Sequence, residues 1–442
     1  MRHHILLFIT VTALLSCSGH RNQVQSKQKV FQTASHKNVK IYESDGGLGP
    51  CEPSICINPA DPRNVLAGSV LNFIHVSGDG GANWETTRLE SSLGVWGDPC
   101  VVAGPEGNFY YFHLSDPEGT NWASEKILDR IVVQHSGDGG KTWSEGSGIG
   151  ENSPRQQDKE WAVVHPETGE VYVTWTEFDR YGSHDPAHKS RILFSASDDK
   201  GATWRKPVAI NQFEGNTVDD DRTVEGAVPA VANNGNIYVA WAYDENIYFD
   251  RSTDNGKTWL SEDIVITSQP EGWTFDIPGL GRCNGMPVTS VDNSKGKYAG
   301  TIYVNWADQR NGTDNTDIFI AKSTDGGLSW SQPLKVNTDT TRTHQFLTWM
   351  SVDPKTGYIY IVYYDRSNYT DTQTDVMIAV SYDGGEHFVT KTISESPFTP
   401  VTDVFFGDYN NINAYNGRVR PIWTRYEDGR LSVWTALIED KE

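Results

Sequence analysis

Seven stretches of the chain place a polar or acidic residue just ahead of a short β-branched and aromatic run, beginning near Glu52, Asp98, Glu160, Glu225, Gly285, Phe346 and Asp408. Five of the openings supply carboxylates, Glu52, Asp98, Glu160, Glu225 and Asp408; Tyr409 follows the last, and Asp158 adds another acid nearby. Carboxyl groups that converge can divide acid and base work on a glycosidic bond, one protonating the leaving oxygen while another acts as base or nucleophile. We therefore take Asp98, Glu160, Glu225, Asp408 and Tyr409 as the candidate catalytic set. The connecting segments carry Arg222, Arg282 and Arg342, together with Asn284 and His344. A guanidinium offers planar, bidentate recognition of a carboxylate, so these five are candidate substrate-binding residues, the arginines suited to an acidic sugar. Arg180, Arg310 and Arg366 each lie beside an aspartate (Asp179, Asp308, Asp365) and are expected to tie down their own loops.

Other chemistry is thin. Asp219 to Asp221 and the acids between Asp371 and Asp375 offer oxygen ligands to Ca²⁺, but without the spacing of a calcium loop, so no cofactor is expected and Ca²⁺ is the alternative. Cys51, Cys56, Cys100 and Cys283 have neither zinc-site spacing nor a histidine partner for a thiol nucleophile. Cys51 and Cys100 occupy equivalent places in successive units, which makes them the candidate disulfide pair. The net charge of −21 repels nucleic acid at long range. A locally held anion is still allowed, because the screening length at physiological salt is about 8 Å.

The elements that must position these groups are written in a repeat. Ser77 to Trp84 recurs as Ser136 to Trp143, Ser197 to Trp204, Ser252 to Trp259, Ser323 to Trp330 and Ser381 to Phe388. The copies stand roughly 60 residues apart, a period that marks a radial array. Each has a Ser, an Asp two places on, a Gly two places further, and an aromatic at the end. The Asp can accept the amides of its own tight turn, the Gly can adopt φ > 0, and the aromatic can lodge between sheets. Around each turn the chain spells four strands, as in Gly226–Val231, Asn236–Trp241, Asn246–Asp250 and Asp263–Thr267, with no helical period. Four antiparallel strands per unit is a propeller blade.

Counting first strands predicts an all-β, seven-bladed propeller rather than six blades. The last unit, from Asp408, has three strands, and Lys37-Asn-Val-Lys-Ile-Tyr42 is left over to supply the fourth and close the ring. Connectivity then puts the tight turns on one rim. The blade crossings and the loops between second and third strands, where the candidate acids and arginines lie, fall on the other. Long loops on a rigid scaffold are where function concentrates.

Six copies of Ser-x-Asp-x-Gly-x-x-aromatic resemble the Asp-box (BNR) repeats of sialidase-like β-propellers of exported bacterial proteins, over Ser77 to Phe388. The resemblance implies a six-bladed propeller, three arginines on a sialic acid carboxylate, a Tyr–Glu nucleophile and an Asp general acid. By blade order Tyr409 and Glu225 would take the place of the nucleophile pair. Where sialidases carry Arg-Ile-Pro, this chain reads Cys51-Glu52-Pro53-Ser54-Ile55, and its nearest arginine, Arg63, lies in a turn of the opposite rim.

The chain opens Met1-Arg-His-His4, then an apolar run to Leu15 and Ser16-Cys17, too short to span a membrane and similar to an export signal. Leu14-Leu15-Ser16-Cys17 resembles a lipobox. We accordingly expect a leader over 1–17 with a lipid on Cys17, a flexible tether over 18–36 and one propeller domain over 37–442, on the bacterial outer membrane or cell surface. Two functions fit: a lipid-anchored glycoside hydrolase of sialidase-like type acting on a glycan at the axial mouth, or a non-catalytic propeller that binds a glycan or another envelope protein.

Overall fold

The computed structural model describes residues 36–440, apart from 45 and 47. The expected leader over 1–17, the expected lipid site at Cys17 and the expected tether up to residue 35 lie outside the described residues. Among the described residues are seven four-stranded antiparallel sheets, and in six of them each strand pairs with its sequence neighbour. They form seven blades, numbered here in chain order.

Blades 1 to 6 begin with inner strands at Ser54–Ile57, Cys100–Ala103, Gln156–Val164, Glu225–Val231, Val288–Val291 and Gln345–Val352. Blade 7 contains Asn411–Tyr415, Arg418–Glu427 and Arg430–Glu439, and Lys37–Glu43 pairs antiparallel with the last as its outer strand, Lys37 opposite Leu437 and Glu43 opposite Ser432. That pairing closes the ring and removes two edges that would otherwise be open to other chains. The six-bladed alternative fails on this count of sheets.

The second strands explain the stability of the wheel. Val171–Phe178, Ile302–Asp308 and Ile359–Asp365 are buried at every position, so their near-continuous apolar runs face a neighbouring blade on both sides. Trp175, Trp241, Trp306 and Trp423 are among the largest fully enclosed side chains.

Each repeated turn is stapled by its own side chains. Ser77 Oγ donates to Asp79 Oδ1 at 2.9 Å, and the same oxygen accepts the amides of Ala82 and Asn83 at 2.9 and 3.0 Å; Ser252, Asp254, Lys257 and Thr258 repeat the pattern. Hydrogen bonds from the residue four places on hold Asp79, Asp138, Asp199 and Asp254 down near a pKa of about 2. The closing aromatics reach the preceding blade: Trp259 meets Phe194 edge-on at 5.0 Å and Trp330 meets Phe249 at 5.1 Å. Glycine is required at Gly256 and Gly327 twice over. Their φ values are +77° and +90°, and an added Cβ would come within 2.1 and 2.2 Å of those same phenyl rings.

Candidate functional site

The acids are delivered by a repeated irregularity at the top of the inner strands. Glu52, Asp98, Lys159, Gly226 and Leu347 have φ of +47°, +50°, +55°, +73° and +47°. In each of these blades regular pairing with the second strand starts or resumes two residues later, at Ser54, Cys100, Trp161, Val228 and Trp349. A bulge of this kind re-aims a side chain. A non-glycine residue held there costs on the order of 1–3 kcal/mol, an expense that clusters at functional sites. Blades 1, 2 and 3 spend it on three charged residues in succession.

Those side chains meet Asp408 of the crossing into blade 7. Lys159 Nζ lies 2.7 Å from Asp408 Oδ2 and 3.9 Å from Asp98 Oδ2. Arg282 approaches from the crossing between blades 4 and 5, its Nε donating to Asp408 Oδ1 at 2.6 Å and a terminal nitrogen to Oδ2. Its third nitrogen is 3.3 Å from Asp219 Oδ2. Asn284 Nδ2 donates to the Asp408 carbonyl at 2.9 Å, and the Asp408 amide donates to Glu52 Oε1 at 3.1 Å. Asp219 also accepts the Tyr181 hydroxyl at 3.0 Å and the Trp273 indole at 3.0 Å.

The cluster is almost dry, and its protons are sorted by neighbours. Asp408 is 1 % exposed; burial pushes its carboxyl up, but Lys159 and Arg282 outweigh burial and hold it well below the usual carboxylate range. Burial alone would strip Lys159 of its proton, yet Asp408, Asp98 and Asp158 keep its pKa well above that of a free lysine. Glu52, Glu160 and Glu225 go the other way, raised first by burial and then by neighbouring acids, Asp98 for the first two and Asp219 for Glu225. Burial lifts Asp158 to about 7. Both oxygens of Glu160 and of Glu225, Asp98 Oδ2 and the Tyr409 hydroxyl are buried without a hydrogen-bond partner.

The structure divides the candidate residues. Asp98, Glu160, Glu225, Asp408, Tyr409, Arg282 and Asn284 come together. Tyr409 lies among the acids Asp98, Glu52 and Glu160, whereas Glu225 sits on the side of Asp219, Lys159 and Asp158. Arg222 and Arg342 do not join them. Arg222 is 79 % exposed and 3.8 Å from Asp244, thrown outward by a turn in which Asp220 Oδ1 accepts its own amide. Arg342 is an exposed partner of Asp314, with Nε donating at 3.1 Å. His344 is half-buried on Thr316 Oγ1 at 3.0 Å, and burial, then Arg366, lower it to a pKa of about 4.

Other expectations are corrected as well. Of the three loop-tying arginines, Arg310 does clasp Asp308, with Nε at 2.9 Å from both oxygens. Asp179 instead takes Arg155 and Arg191, so Arg180 has no part in that pair. Asp365 accepts Ser367, while Arg366 packs over Phe346 and donates to Thr374 and to the Pro278 carbonyl. Cys51 and Cys100 are free and buried, like Cys56 and Cys283, and Cys100 Sγ accepts the Ala162 amide from blade 3 instead. In the Asp219–Asp221 run the carboxylates are taken by separate protein donors, Asp221 by the Thr274 amide.

Lys159, the hub, was not among the candidates. Its signal was present: it occupies in blade 3 the position that Glu52 and Asp98 occupy in blades 1 and 2, with acids on both sides.

Below the cluster the axis is closed by aromatics. Trp161 lies 4.2 Å from Trp349 and 4.8 Å from Tyr409, centroid to centroid. On their far side a cavity of about 890 Å³ runs out between the turns of the opposite rim, past Pro166, Asn233, Lys295 and Lys355. Its polar lining is largely used to join blades: Ser54 Oγ accepts the Val101 amide, Asn411 the Ile55 amide and Ser351 the Ala414 amide. The open end of the axis and the charged end are therefore different places.

No protein-family model matches this chain, and no curated protein matches it by sequence. Solved structures match its fold. An ulvan lyase, a polysaccharide lyase solved bound to -[GlcA(1-4)Rha3S]-, superposes with a TM-score of 0.56 at 15% identity over 92% of this chain and 96% of its own. The NanB sialidase of Streptococcus pneumoniae superposes at 0.50 with 10% identity, covering 85% of this chain and 83% of the other. At such identities the likeness is one of fold.

Proposed function

We propose that this propeller is an exported, surface-anchored carbohydrate-active protein of the glycoside hydrolase type, working at the rim that carries the blade crossings. The observation that carries the reading is the opposed protonation inside one cluster. Lys159 and Arg282 hold the Asp408 carboxyl well below the usual carboxylate range, while burial and then neighbouring acids push Glu160 and Glu225 well above it. Carboxyl groups whose environments push their pKa values apart are the pattern by which acid and base roles are assigned. In this reading Glu225 donates the proton to the leaving oxygen and Asp98, whose Oδ2 is paired with Lys159 Nζ at 3.9 Å but accepts no hydrogen bond, acts as base. The Tyr409 hydroxyl, also without a hydrogen bond, is available as nucleophile beside Asp98 and Glu160. Glycan-acting proteins that share the fold support the same substrate class.

A second reading, a glycan-binding propeller without turnover, is favoured by one specific feature. Glu225 is 0 % exposed and Asp408 1 %, so a substrate reaches them only if Arg282 and its crossing give way. The test is a panel of fluorogenic glycosides, a sialoside included, with wild type, Glu225→Gln and Asp98→Asn. Hydrolysis reduced at least a hundredfold by both substitutions is the expected result. Turnover indifferent to both removes these acids from the mechanism, an unsaturated sugar product indicates a lyase, and glycan binding without any cleavage establishes the second reading.

A further inference from the structure

Between the cluster and solvent runs a continuous chain of contacts that none of the roles above uses. Trp122, in the loop between the second and third strands of blade 2, is 55 % exposed, whereas Trp175, Trp241, Trp306 and Trp423 are fully enclosed. One of its faces stacks on Tyr181 of the neighbouring blade at 5.7 Å and 28°. The Tyr181 hydroxyl donates to Asp219, Asp219 pairs with Arg282, and the Arg282 guanidinium rides over Phe405 at 5.9 Å. Phe405, on the crossing between blades 6 and 7, is 39 % exposed. The ridge Trp122–Tyr181–Asp219–Arg282–Phe405 thus offers an exposed aromatic at each end and a carboxylate–guanidinium pair in the middle, each member fixed by its neighbours.

The cations on this ridge are already taken by carboxylates. Arg282 has both oxygens of Asp408 and one of Asp219, and Lys159 is committed to Asp408 and Asp98. Two cations face three carboxylates. An incoming sulfate or uronate would have to displace Asp408 or Asp219 from Arg282 and would still meet the remaining acids, within a protein of net charge −21. An uncharged sugar meets no such opposition. Its hydroxyls can donate to Asp219 without displacing Arg282, and its apolar C–H face matches an exposed ring.

We propose that this ridge is the glycan-binding surface and that it selects uncharged sugars, an oligosaccharide lying across Trp122, the Asp219–Arg282 pair and Phe405. The inference rests on the reading of this rim as a carbohydrate site and narrows its substrate class away from acidic glycans. It accounts for two features left over above: why a tryptophan is held out in solvent against a tyrosine, and why Arg282 comes without the two other arginines that a carboxylate clamp would need.

The test is binding, measured separately from turnover. The full chain is titrated by calorimetry with neutral hexasaccharides of the cello, malto, xylo and manno series, and with sialyllactose and hexagalacturonate as acidic probes. At least one neutral series is expected to bind, with affinity lowered about threefold to tenfold by Trp122→Ala and by Phe405→Ala. Leu328→Ala, an exposed apolar residue on the opposite rim, should change nothing, and all three variants should keep the wild-type melting temperature. Tyr181→Phe keeps the stack but loses the hydrogen bond to Asp219, and is expected to weaken binding less than Trp122→Ala. Binding confined to the acidic probes, neutral binding indifferent to both aromatic substitutions, or no binding at all would overturn the inference. Neutral binding without cleavage would leave it standing while removing the hydrolase reading, and cleavage of acidic substrates alone would do the reverse.

Discussion

Replacing Lys159 by methionine tests whether the buried cluster is held together by charge. The ammonium is 5 % exposed, with Asp408 at 2.7 Å and Asp98 at 3.9 Å. In an effective dielectric near 20 those contacts amount to roughly 6 and roughly 4 kcal/mol of attraction. Removing the cation from water offsets most of that, and deleting one partner of a buried pair leaves a net cost of about 3–5 kcal/mol. Arg282 still holds Asp408 in the variant, which places Lys159→Met near the lower end, about 3 kcal/mol at pH 7. The sign of the pH dependence follows. Without Lys159 the Asp408 carboxyl loses the main influence that outweighs its burial, so its folded pKa rises and protonation relieves the strain; the deficit should shrink as pH falls from 7 to 5. Denaturant unfolding of Lys159→Met, Asp408→Asn and the double variant supplies the measurement. The double should cost clearly less than the two singles combined. A single-variant cost below about 0.5 kcal/mol, or one that is the same at both pH values, would refute the argument that these charges are interdependent.

Asp250, fully enclosed in blade 4, is raised to about 7 by burial, above its unfolded value. Its contribution to stability is therefore greatest below pH 4 and falls as pH rises to 7, by an amount on the order of 4 kcal/mol at most. Asp250→Asn keeps an oxygen for the Arg251 and Leu260 amides and should gain stability over wild type at pH 8 compared with pH 5; an equal difference at the two pH values would contradict this. Trp259→Ala should cost about 2–3 kcal/mol, less than the ~3–5 of a fully enclosed aromatic, because Trp259 is half-buried against Phe194. Asp371→Ala should be near neutral, since Asp371 bonds only to its neighbour Gln373 on the surface, and matching melting temperatures for the two variants would count against both assignments.

The fold was legible because it is written by repetition. A Ser-x-Asp-x-Gly turn is closed by its own atoms, so its shape follows from local chemistry. The leftover strand Lys37–Glu43 could be placed because blade 7 lacked a partner on one side. The carboxylates were legible because Glu52 and Asp98 stand in corresponding places at inner-strand starts, with Glu225 and Asp408 at the starts of theirs. Lys159 escaped notice because a search for acids passes over a cation in the same register. Whether Glu225 or Glu160 carries a proton was not legible at all. It depends on burial and on charges brought in from blades far away in sequence.

The arginines show where such reading stops, and why Arg282 differs from the two that failed. Arg222 and Arg342 lie on crossings whose side chains find nearby acids, Asp244 and Asp314, in solvent. The crossing that carries Arg282 is folded into the core. The Phe275 amide donates to the Cys283 carbonyl and the Gly285 amide to the Trp273 carbonyl, pinching the base of the loop. Trp273, Phe275, Ile277 and Leu280 are all buried, and Arg366 holds the Pro278 carbonyl at the apex. A loop anchored by four apolar side chains is held by several kcal/mol of burial, which fixes the path of the chain before any charge is satisfied. Arg282 therefore arrives over Asp408 because apolar packing delivers it there, and the ion pair then locks a position already chosen. The same anchoring means that access to Glu225 and Asp98 requires rearranging apolar contacts as well as breaking an ion pair, so Arg282→Ala by itself should leave the cluster covered. Hydrogen exchange at residues 273–285 provides the check: protection close to wild type in Arg282→Ala is the expected result, and a collapse of protection there would show that charge, not packing, holds the crossing in place.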